Sequence, residues 1–226
     1  MGGKKKEYQN LPCPAFNSNS APQEKPLTVL GSAVAAFLSC PQISSIVITV
    51  PPGGESAAKA CLAGNDERLF FVKGGPTRRA SVHNALLFLK QHNPSYVLIH
   101  DGARPWIKQD LIKAIINAVI RHNAVIPVLP LLETPKEICS AEKTNGAEIQ
   151  FIKQHLRRGN LCCAQTPQGF KFPEILRAHE KAAEKESLEN FEYTDDAEVW
   201  GEFIGRVAVI SGDPENRKIT YPEDIK

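Results

Sequence analysis

Three polar motifs follow apolar runs of the chain, and their residue types suit the binding of anions. The first is Lys73–Ser81, with the sequence KGGPTRRAS, which comes directly after the apolar run Leu69–Val72. Glycines let the backbone approach a ligand closely, and the start of a following helix offers free N–H groups to an anion. Arg78 and Ser81 add further hydrogen-bond donors. The alternative interpretation of this sequence is a plain glycine turn in which Ser81 only caps the helix.

The second motif places an aspartate directly after a buried run. The run Tyr96–His100 is followed by Asp101-Gly102, and Arg104 comes three positions after the aspartate. A carboxylate at this point, beside small residues and an arginine, is suited to holding a metal ion or a substrate hydroxyl. The alternative is a turn-forming Asp101 with Arg104 as its salt-bridge partner.

The third motif and a fourth polar cluster lie in the C-terminal half. Arg158 precedes Ala164–Gln168 (AQTPQ), where a Thr-Pro pair keeps the backbone extended and lets the Thr166 hydroxyl face the same crevice. Asn216–Asp224 contains Lys218, which we predict to lie in a short strand and to face the side opposite to its neighbours. The alternative for the AQTPQ segment is an ordinary loop, and the alternative for Lys218 is a solvated surface charge.

The segments between these motifs predict alternating strands and helices. Short continuous apolar runs are typical of strands that are covered on both faces. Such runs occur at Ser45–Val50, Leu69–Val72, Tyr96–His100, Ala124–Leu129, Leu161–Gln165 and Arg206–Ile210. Helical spacing occurs at Val82–Leu89, Leu111–Val119, Pro173–Lys185 and Asp195–Phe203, the last with Thr194 as its N-cap. The alternation predicts an α/β fold with a doubly wound, mostly parallel sheet, in one domain over residues 1–226.

One segment interrupts this alternation. Lys136–Ser140 and Ala147–Lys153 flank Thr144-Asn145-Gly146, and Asn-Gly between extended runs is a strong hairpin signal. Because a hairpin has no place in a parallel sheet, we expect residues 132–156 to project as a β-arm that clasps a second subunit. A mobile surface hairpin is the alternative.

Composition excludes several classes of protein. Lys+Arg is 27 and Asp+Glu is 25, so the net charge of +2 indicates neither a nucleic-acid nor a membrane partner. No apolar run approaches the roughly 18 residues of a membrane helix, and no secretory leader opens the sequence. The six cysteines show no C-x-x-C pair, which favours buried thiols in a reducing cytoplasm over a redox or metal role.

Taken in order, the motifs resemble the 2-C-methyl-D-erythritol 4-phosphate cytidylyltransferase family of the non-mevalonate isoprenoid pathway. The matching strings are GG-x-x-R-x-x-SV at Gly74–Val82, VLIHDGARP at Val97–Pro105, ETPK at Glu133–Lys136, AQTPQ at Ala164–Gln168, TDDA at Thr194–Ala197 and N-x-KIT-x-PED at Asn216–Asp224. The resemblance implies a Rossmann-like fold, a homodimer clasped by β-arms, and a Mg²⁺-dependent reaction. In that reaction CTP and a sugar-alcohol phosphate give a CDP-linked product and pyrophosphate.

The resemblance also assigns roles to residues. Lys6 and Lys218 are implied as the catalytic cations that stabilise the α-phosphate and the transition state. Gly75 and Ser81 are implied to contact the cytosine and ribose, and Asp101 to hold substrate hydroxyls or the metal ion. The implied contacts of the sugar-alcohol phosphate are Arg104, Thr134, Arg158, Thr166 and Thr194.

The N-terminus departs from the family pattern. The family begins with a strand and a loop of the form A-A-G-x-G-x-R-M-G that wraps the CTP triphosphate. Met1-Gly2-Gly3 matches only the tail of that loop, which makes Gly2 and Gly3 candidate nucleotide contacts. We therefore expect a native protein that starts further upstream, with the strand and the loop. Two other functions stay open, a ribitol 5-phosphate cytidylyltransferase and a catalytically dead dimeric homologue.

Overall fold

Strands and helices alternate along the chain and form an α/β fold. The computed structural model describes residues 5–12, 27–139, 142–144, 147–189 and 191–225. The strands are β1 Ile46–Val50, β2 Leu69–Lys73, β3 Tyr96–Ile99, β4 Ala124–Pro130, β5 Lys136–Ile138, β6 Glu142–Thr144, β7 Ala147–Ile149, β8 Ile152–His155, β9 Cys162–Ala164, β10 Gln168–Lys171 and β11 Ala208–Ser211. The helices are α1 Val29–Leu38, α2 Glu55–Ala60, α3 Arg78–Leu89, α4 Gln109–His122, α5 Glu174–Glu189 and α6 Asp196–Phe203. No helix among these residues is long and apolar enough to cross a bilayer.

The central sheet has the strand order β11-β4-β10-β3, with β9 paired to the end of β4. β11 runs parallel to β4, and β3 and β4 both run antiparallel to β10, so β3 and β4 point the same way. The Rossmann-like α/β class is therefore confirmed, and β9 and β10 are antiparallel additions to a parallel framework. The sequence reasoning missed β10, because QGFK is short and contains a glycine.

That glycine allows α4 to pack closely on the sheet. A Cβ atom on Gly169 would lie 2.9 Å from the Ile115 side chain and 3.2 Å from Val119. The apolar face of α4 is buried here, with Ile112 and Ile115 fully covered. This packing fixes the sheet against one helical layer, while α3, α5 and α6 cover Phe170 on the other face.

A deep cavity separates β1 from β3. Within the described residues, β1 pairs only with β2 and β3 pairs only with β10. The cavity between them has a volume of about 940 Å³ and is lined by every residue of β1 and β3, with side chains of α1, α3 and α4 as its walls. We call this space the inter-strand slot. Each flanking strand turns an unpaired backbone edge towards it, and such an edge is a template for a further strand.

The arm is built from two short antiparallel ladders. β5 pairs with β8, and β6 pairs with β7, while residues 145–146 between β6 and β7 lie outside the described residues. The expected hairpin is therefore present, and all four residues of β8 are exposed. Nearby, Cys162 and Cys163 are exposed in β9, so the prediction of buried thiols is wrong for them, whereas Cys40 is buried. Among the described residues β9 pairs only with β4, which leaves the other side of this strand uncovered.

Candidate functional site

Asp101 lies just beyond the carboxyl end of β3 and is surrounded by cations. Its Oδ2 atom lies 3.1 Å from Lys218 Nζ and 3.5 Å from Arg104 Nε, and its Oδ1 atom lies 3.4 Å from Arg78 Nε. Burial raises the pKa of this carboxyl, but Lys218 and Arg78 outweigh that effect and lower the pKa to about 2. Asp101 is therefore ionised at any physiological pH. We call these four residues the Asp101 cluster.

The backbone of Asp101 is fixed by Thr166. Thr166 Oγ1 accepts a hydrogen bond of 3.1 Å from the Asp101 N–H and lies 3.0 Å from His100 Nδ1. Burial lowers the pKa of His100 to about 4, so the imidazole is neutral, and its Nε2 atom lies 3.1 Å from the Arg104 carbonyl. Since a carbonyl only accepts, Nε2 carries the proton and Nδ1 accepts from the Thr166 hydroxyl. Thr166 thus lies at the predicted site, with its hydroxyl already engaged.

A glycine loop joins β2 to α3 beside this cluster. Thr77 Oγ1 accepts from the Ala80 N–H at 3.1 Å and caps the helix, while the Gly75 N–H donates to Ser81 Oγ at 3.1 Å. A Cβ atom on Gly75 would lie 2.5 Å from the Ala80 Cβ, so this turn accepts only glycine. The structure therefore brings Gly75 and Ser81 together in a preformed loop at a helix start, which suits an anionic ligand.

Lys218 is held by its chain neighbours. The buried Asn216 side chain donates to the Thr166 carbonyl at 2.7 Å, and the Asn216 carbonyl accepts from Arg104 Nη1 at 2.8 Å. The Ile219 N–H donates to the Ala103 carbonyl at 2.8 Å. Lys218 itself lies in an irregular segment, so the predicted strand is absent there, and its side chain is 42% exposed. The ammonium group is thus both anchored to Asp101 and open to a ligand.

Thr194 has a local structural role. Its hydroxyl donates to Glu198 Oε2 at 2.9 Å, and its N–H donates to the same oxygen at 2.9 Å. The N-cap of α6 is Asp195, whose Oδ1 accepts from the Glu198 N–H at 2.8 Å, so the expectation of Thr194 as N-cap is wrong by one residue. Among the described residues, Thr194 has no hydrogen bond to a member of the Asp101 cluster.

Thr134 and Arg158 lie together at the base of the arm. Both are exposed, and Arg158 Nη1 donates to the Leu132 carbonyl at 2.6 Å. In the part of the chain that the structure describes, no hydrogen bond or ion pair joins either side chain to Asp101. The structure therefore separates the predicted substrate-binding residues into two groups, one at the strand ends and one on the arm.

The N-terminal candidates are only partly described. Lys6 begins a short 3₁₀ turn, and it contributes to lowering the pKa of Asp224, after the Tyr221 and Thr220 N–H groups. Within residues 5–12 and the other described ranges, no hydrogen bond or ion pair joins Lys6 to the Asp101 cluster. Gly2 and Gly3 lie outside the described residues.

The sequence reasoning missed the bridge made by Arg78. This arginine appeared only as a donor of the glycine loop, but its Nη2 atom also lies 2.8 Å from Oδ2 of the buried Asp196. Asp196 belongs to the TDDA string, of which only Thr194 was selected. The TDDA match was the sequence signal from which Asp196 could have been selected as a site residue.

The described residues contain no group of three or more His, Cys, Asp and Glu side chains that could hold a metal ion by themselves. Mg²⁺ is commonly held by one or two carboxylates together with substrate phosphates. Asp101, 14% exposed at the edge of the inter-strand slot, fits such a shared site as its single protein carboxylate.

Three cations on one carboxylate, beside a glycine loop and a helix start at strand ends, define an α/β protein built to bind phosphorylated ligands. The family model for IspD, 2-C-methyl-D-erythritol 4-phosphate cytidylyltransferase, matches residues 23–226. The chain belongs to this family of nucleotidyltransferases.

Relatives and solved structures agree with that assignment. The chain is 36% identical over 200 residues to the bifunctional enzyme IspD/IspF of Brucella abortus. The aligned part covers 88% of this chain and 48% of the relative. The chain thus spans about half the length of the curated relatives it matches. The 2-C-methyl-D-erythritol 4-phosphate cytidylyltransferase of Thermus thermophilus is 29% identical, with a TM-score of 0.66 over 88% of this chain and 85% of that one. The 4-diphosphocytidyl-2C-methyl-D-erythritol synthase of Anaerococcus prevotii is 27% identical, with a TM-score of 0.76 over 90% and 85%.

Proposed function

We propose that the protein transfers CMP from CTP to 2-C-methyl-D-erythritol 4-phosphate and releases pyrophosphate. The observation that carries this proposal is the Asp101 cluster, in which Lys218 and two arginines converge on one carboxylate beside the glycine loop. Two polyanions must be brought together in this reaction, and clustered cations lower the cost of doing so.

The chemistry needs no protein nucleophile. A phosphate oxygen of methylerythritol phosphate attacks the α-phosphorus of CTP, and the bond from that phosphorus to the bridging oxygen of the β-phosphate breaks. Pyrophosphate leaves with the electron pair of that bond. The protein contributes by holding the two reactants in line and by neutralising the charge that builds up on the α-phosphate.

On the nucleotide side, Lys218 and Lys6 stabilise the α-phosphate, and Gly75 with Ser81 contacts the cytosine and ribose. The support for Lys218 is its exposed ammonium group beside Asp101, and the support for Gly75 is a turn that admits no side chain. Gly2 and Gly3 join the triphosphate contacts by resemblance alone.

On the acceptor side, Asp101 orients substrate hydroxyls, and Arg104, Thr166 and Thr194 contact methylerythritol phosphate. Thr134 and Arg158 contribute from the arm of a partner subunit in a homodimer. The support for this division is that the last two side chains are exposed and that Arg158 donates to the Leu132 carbonyl on its own side of the arm. Sedimentation analysis tests the dimer, since a monomer at assay concentration contradicts the role of the arm.

Mg²⁺ is the proposed cofactor, and Asp101 with the CTP phosphates would hold it. The ion supplies charge neutralisation on the triphosphate. We also propose a cytoplasmic location, because the five cysteines among the described residues are free thiols, which a reducing compartment maintains.

We further propose that an extended segment fills the inter-strand slot in the active enzyme and leads into a glycine loop around the triphosphate. The support is the open backbone edge on each side of the slot and its apolar walls. The coding sequence upstream of Met1, read in frame, tests this. A strand-like apolar run followed by a glycine-rich loop is expected there, and its absence contradicts the proposal.

A pyrophosphate-release assay tests the reaction, with CTP, Mg²⁺ and either methylerythritol phosphate or ribitol 5-phosphate. The assay compares the 226-residue chain with a form that begins at the upstream residues. We expect release only with methylerythritol phosphate. Release only with ribitol 5-phosphate supports the second candidate acceptor, and no release from either form indicates a catalytically dead homologue.

A further inference from the structure

Asp196 is a buried carboxylate with no part in the reaction proposed above. It lies at the first position of α6, and its side chain is 1% exposed. Burying an ionised carboxylate costs several kcal/mol unless charged partners compensate for it. A buried carboxylate of this kind indicates a role that offsets the free-energy cost of its burial.

Arg78 connects Asp196 to the site. Its Nη2 atom lies 2.8 Å from Asp196 Oδ2, and its Nε atom lies 3.4 Å from Asp101 Oδ1. The two carboxylates therefore face different nitrogens of one rigid guanidinium plane. Burial raises the pKa of Asp196, but His179 and Arg78 outweigh burial and hold the pKa below its usual value, so the carboxylate is charged.

The backbone around Asp196 is fixed from the side of the core. The buried Gln168 of β10 donates from Nε2 to Asp195 Oδ2 at 3.1 Å and accepts the Ala197 N–H at 3.0 Å. His179 Nε2 of α5 lies 3.2 Å from Asp196 Oδ1, without hydrogen-bond geometry. Asp196 is thus the fixed end of a chain of contacts that runs through Arg78 to Asp101 and Lys218.

We propose that Asp196 is a positioning residue, which holds Arg78 so that the guanidinium fixes Asp101, and Asp101 in turn anchors Lys218 beside the phosphate site. This inference rests on the proposed function. With Asp196 neutral, the charge of Arg78 would be balanced by Asp101 alone, in competition with Lys218 and Arg104. Arg78 would then draw Asp101 away from Lys218. Lys218 would lose its anchor, and its ammonium group would be misaligned with the phosphate in the transition state.

The test is the substitution Asp196→Asn, which keeps the shape of the side chain and removes its charge. We expect kcat to fall about 10- to 100-fold, the scale of a small misplacement of reacting groups, with KM for CTP changed less than about threefold. Glu202→Gln is the matched control, because it neutralises an exposed carboxylate on the same helix whose partners are Lys185 and Tyr193. It should keep the wild-type kcat.

A double-mutant cycle separates positioning from a general loss of structure. In an Arg78→Gln background, Asp196→Asn should cause no further loss of kcat, because the link is already broken. Additive losses in the double variant, or a wild-type kcat in Asp196→Asn, overturn the proposal. If Asp196→Asn does not fold, Arg78→Gln alone must show the same fall in kcat at constant KM, and a wild-type kcat there overturns the proposal equally.

A crystal structure of Asp196→Asn gives a readout that is independent of activity. The distance from Arg78 Nε to Asp101 Oδ1 should differ from 3.4 Å, and an unchanged cluster contradicts the proposal. Failure of the proposed function is distinguishable from this, since it shows as an inactive wild-type enzyme. An active wild type with an equally active Asp196→Asn refutes only the positioning role.

Discussion

The Asp101 cluster and the base of the arm hold their side chains in opposite ways. Asp101 is in contact with three cations and has its backbone tied to Thr166. Arg158 at the base of the arm is exposed and donates one hydrogen bond, to the Leu132 carbonyl. The first region is preorganised by contacts within its own chain, whereas Arg158 is exposed and open to further contacts. We therefore expect substitutions in the Asp101 cluster to lower turnover or stability, and substitutions at the base of the arm to weaken substrate binding.

The largest effect is expected for Lys218→Ala. Loss of a preorganised charge that acts in the transition state typically costs about 10²- to 10³-fold in turnover. We expect kcat in the pyrophosphate-release assay to fall by that factor. Lys113→Ala, on the exposed face of α4, is the control and should keep wild-type turnover. A loss of less than about tenfold for Lys218→Ala removes this residue from the catalytic group.

Arg158→Ala tests the other side of the comparison. A hydrogen bond to a charged group contributes about 1.5–3 kcal/mol, so KM for methylerythritol phosphate should rise roughly 10- to 100-fold. The affinity for CTP, measured by calorimetry, and the melting temperature should stay unchanged because the side chain is exposed. Arg157→Ala is the neighbouring control. Equal weakening of both substrates argues against the role of the arm.

The pH dependence of stability should reveal the preorganised region. The pKa of Asp101 is lowered from 3.8 to about 2, so its ionised form stabilises the fold above pH 4, and this contribution is lost as the pH falls to 2. By linkage it amounts to about 2 kcal/mol. Urea unfolding of the wild type and of Asp101→Asn should differ most above pH 4 and converge towards pH 2. A constant difference over that range contradicts the low pKa.

The smallest effect is expected for Thr194→Val. The substitution removes one hydrogen bond to Glu198 at the start of α6, worth about 0.5–1.5 kcal/mol of the free energy of unfolding. Chemical denaturation measures this loss. KM for methylerythritol phosphate should also rise if the hydroxyl reaches the substrate, and an unchanged KM takes Thr194 out of the proposed acceptor site.

The sequence predicted the parts of the molecule that local patterns encode. Apolar runs located β1 to β4, and Asn-Gly located the hairpin of the arm. α1 was not predicted, since VLGSAVAAFL has no polar face to give it a helical period. The preorganised site was found only in part. Lys218 and Asp101 follow recognisable motifs, but the contact of Arg78 with Asp196 joins residues 118 positions apart, which no local pattern encodes.

The inter-strand slot has a consequence for the exchange of amide hydrogens. About half of the amides along β1 and β3 point towards this space, because successive N–H groups of a strand face opposite edges. Without a strand between them these interior amides lack a ladder partner and should exchange rapidly, although the side chains around them are buried. With the slot filled, they should become some of the slowest in the protein. Exchange measured by mass spectrometry therefore reports whether the slot is occupied, without any assay of turnover.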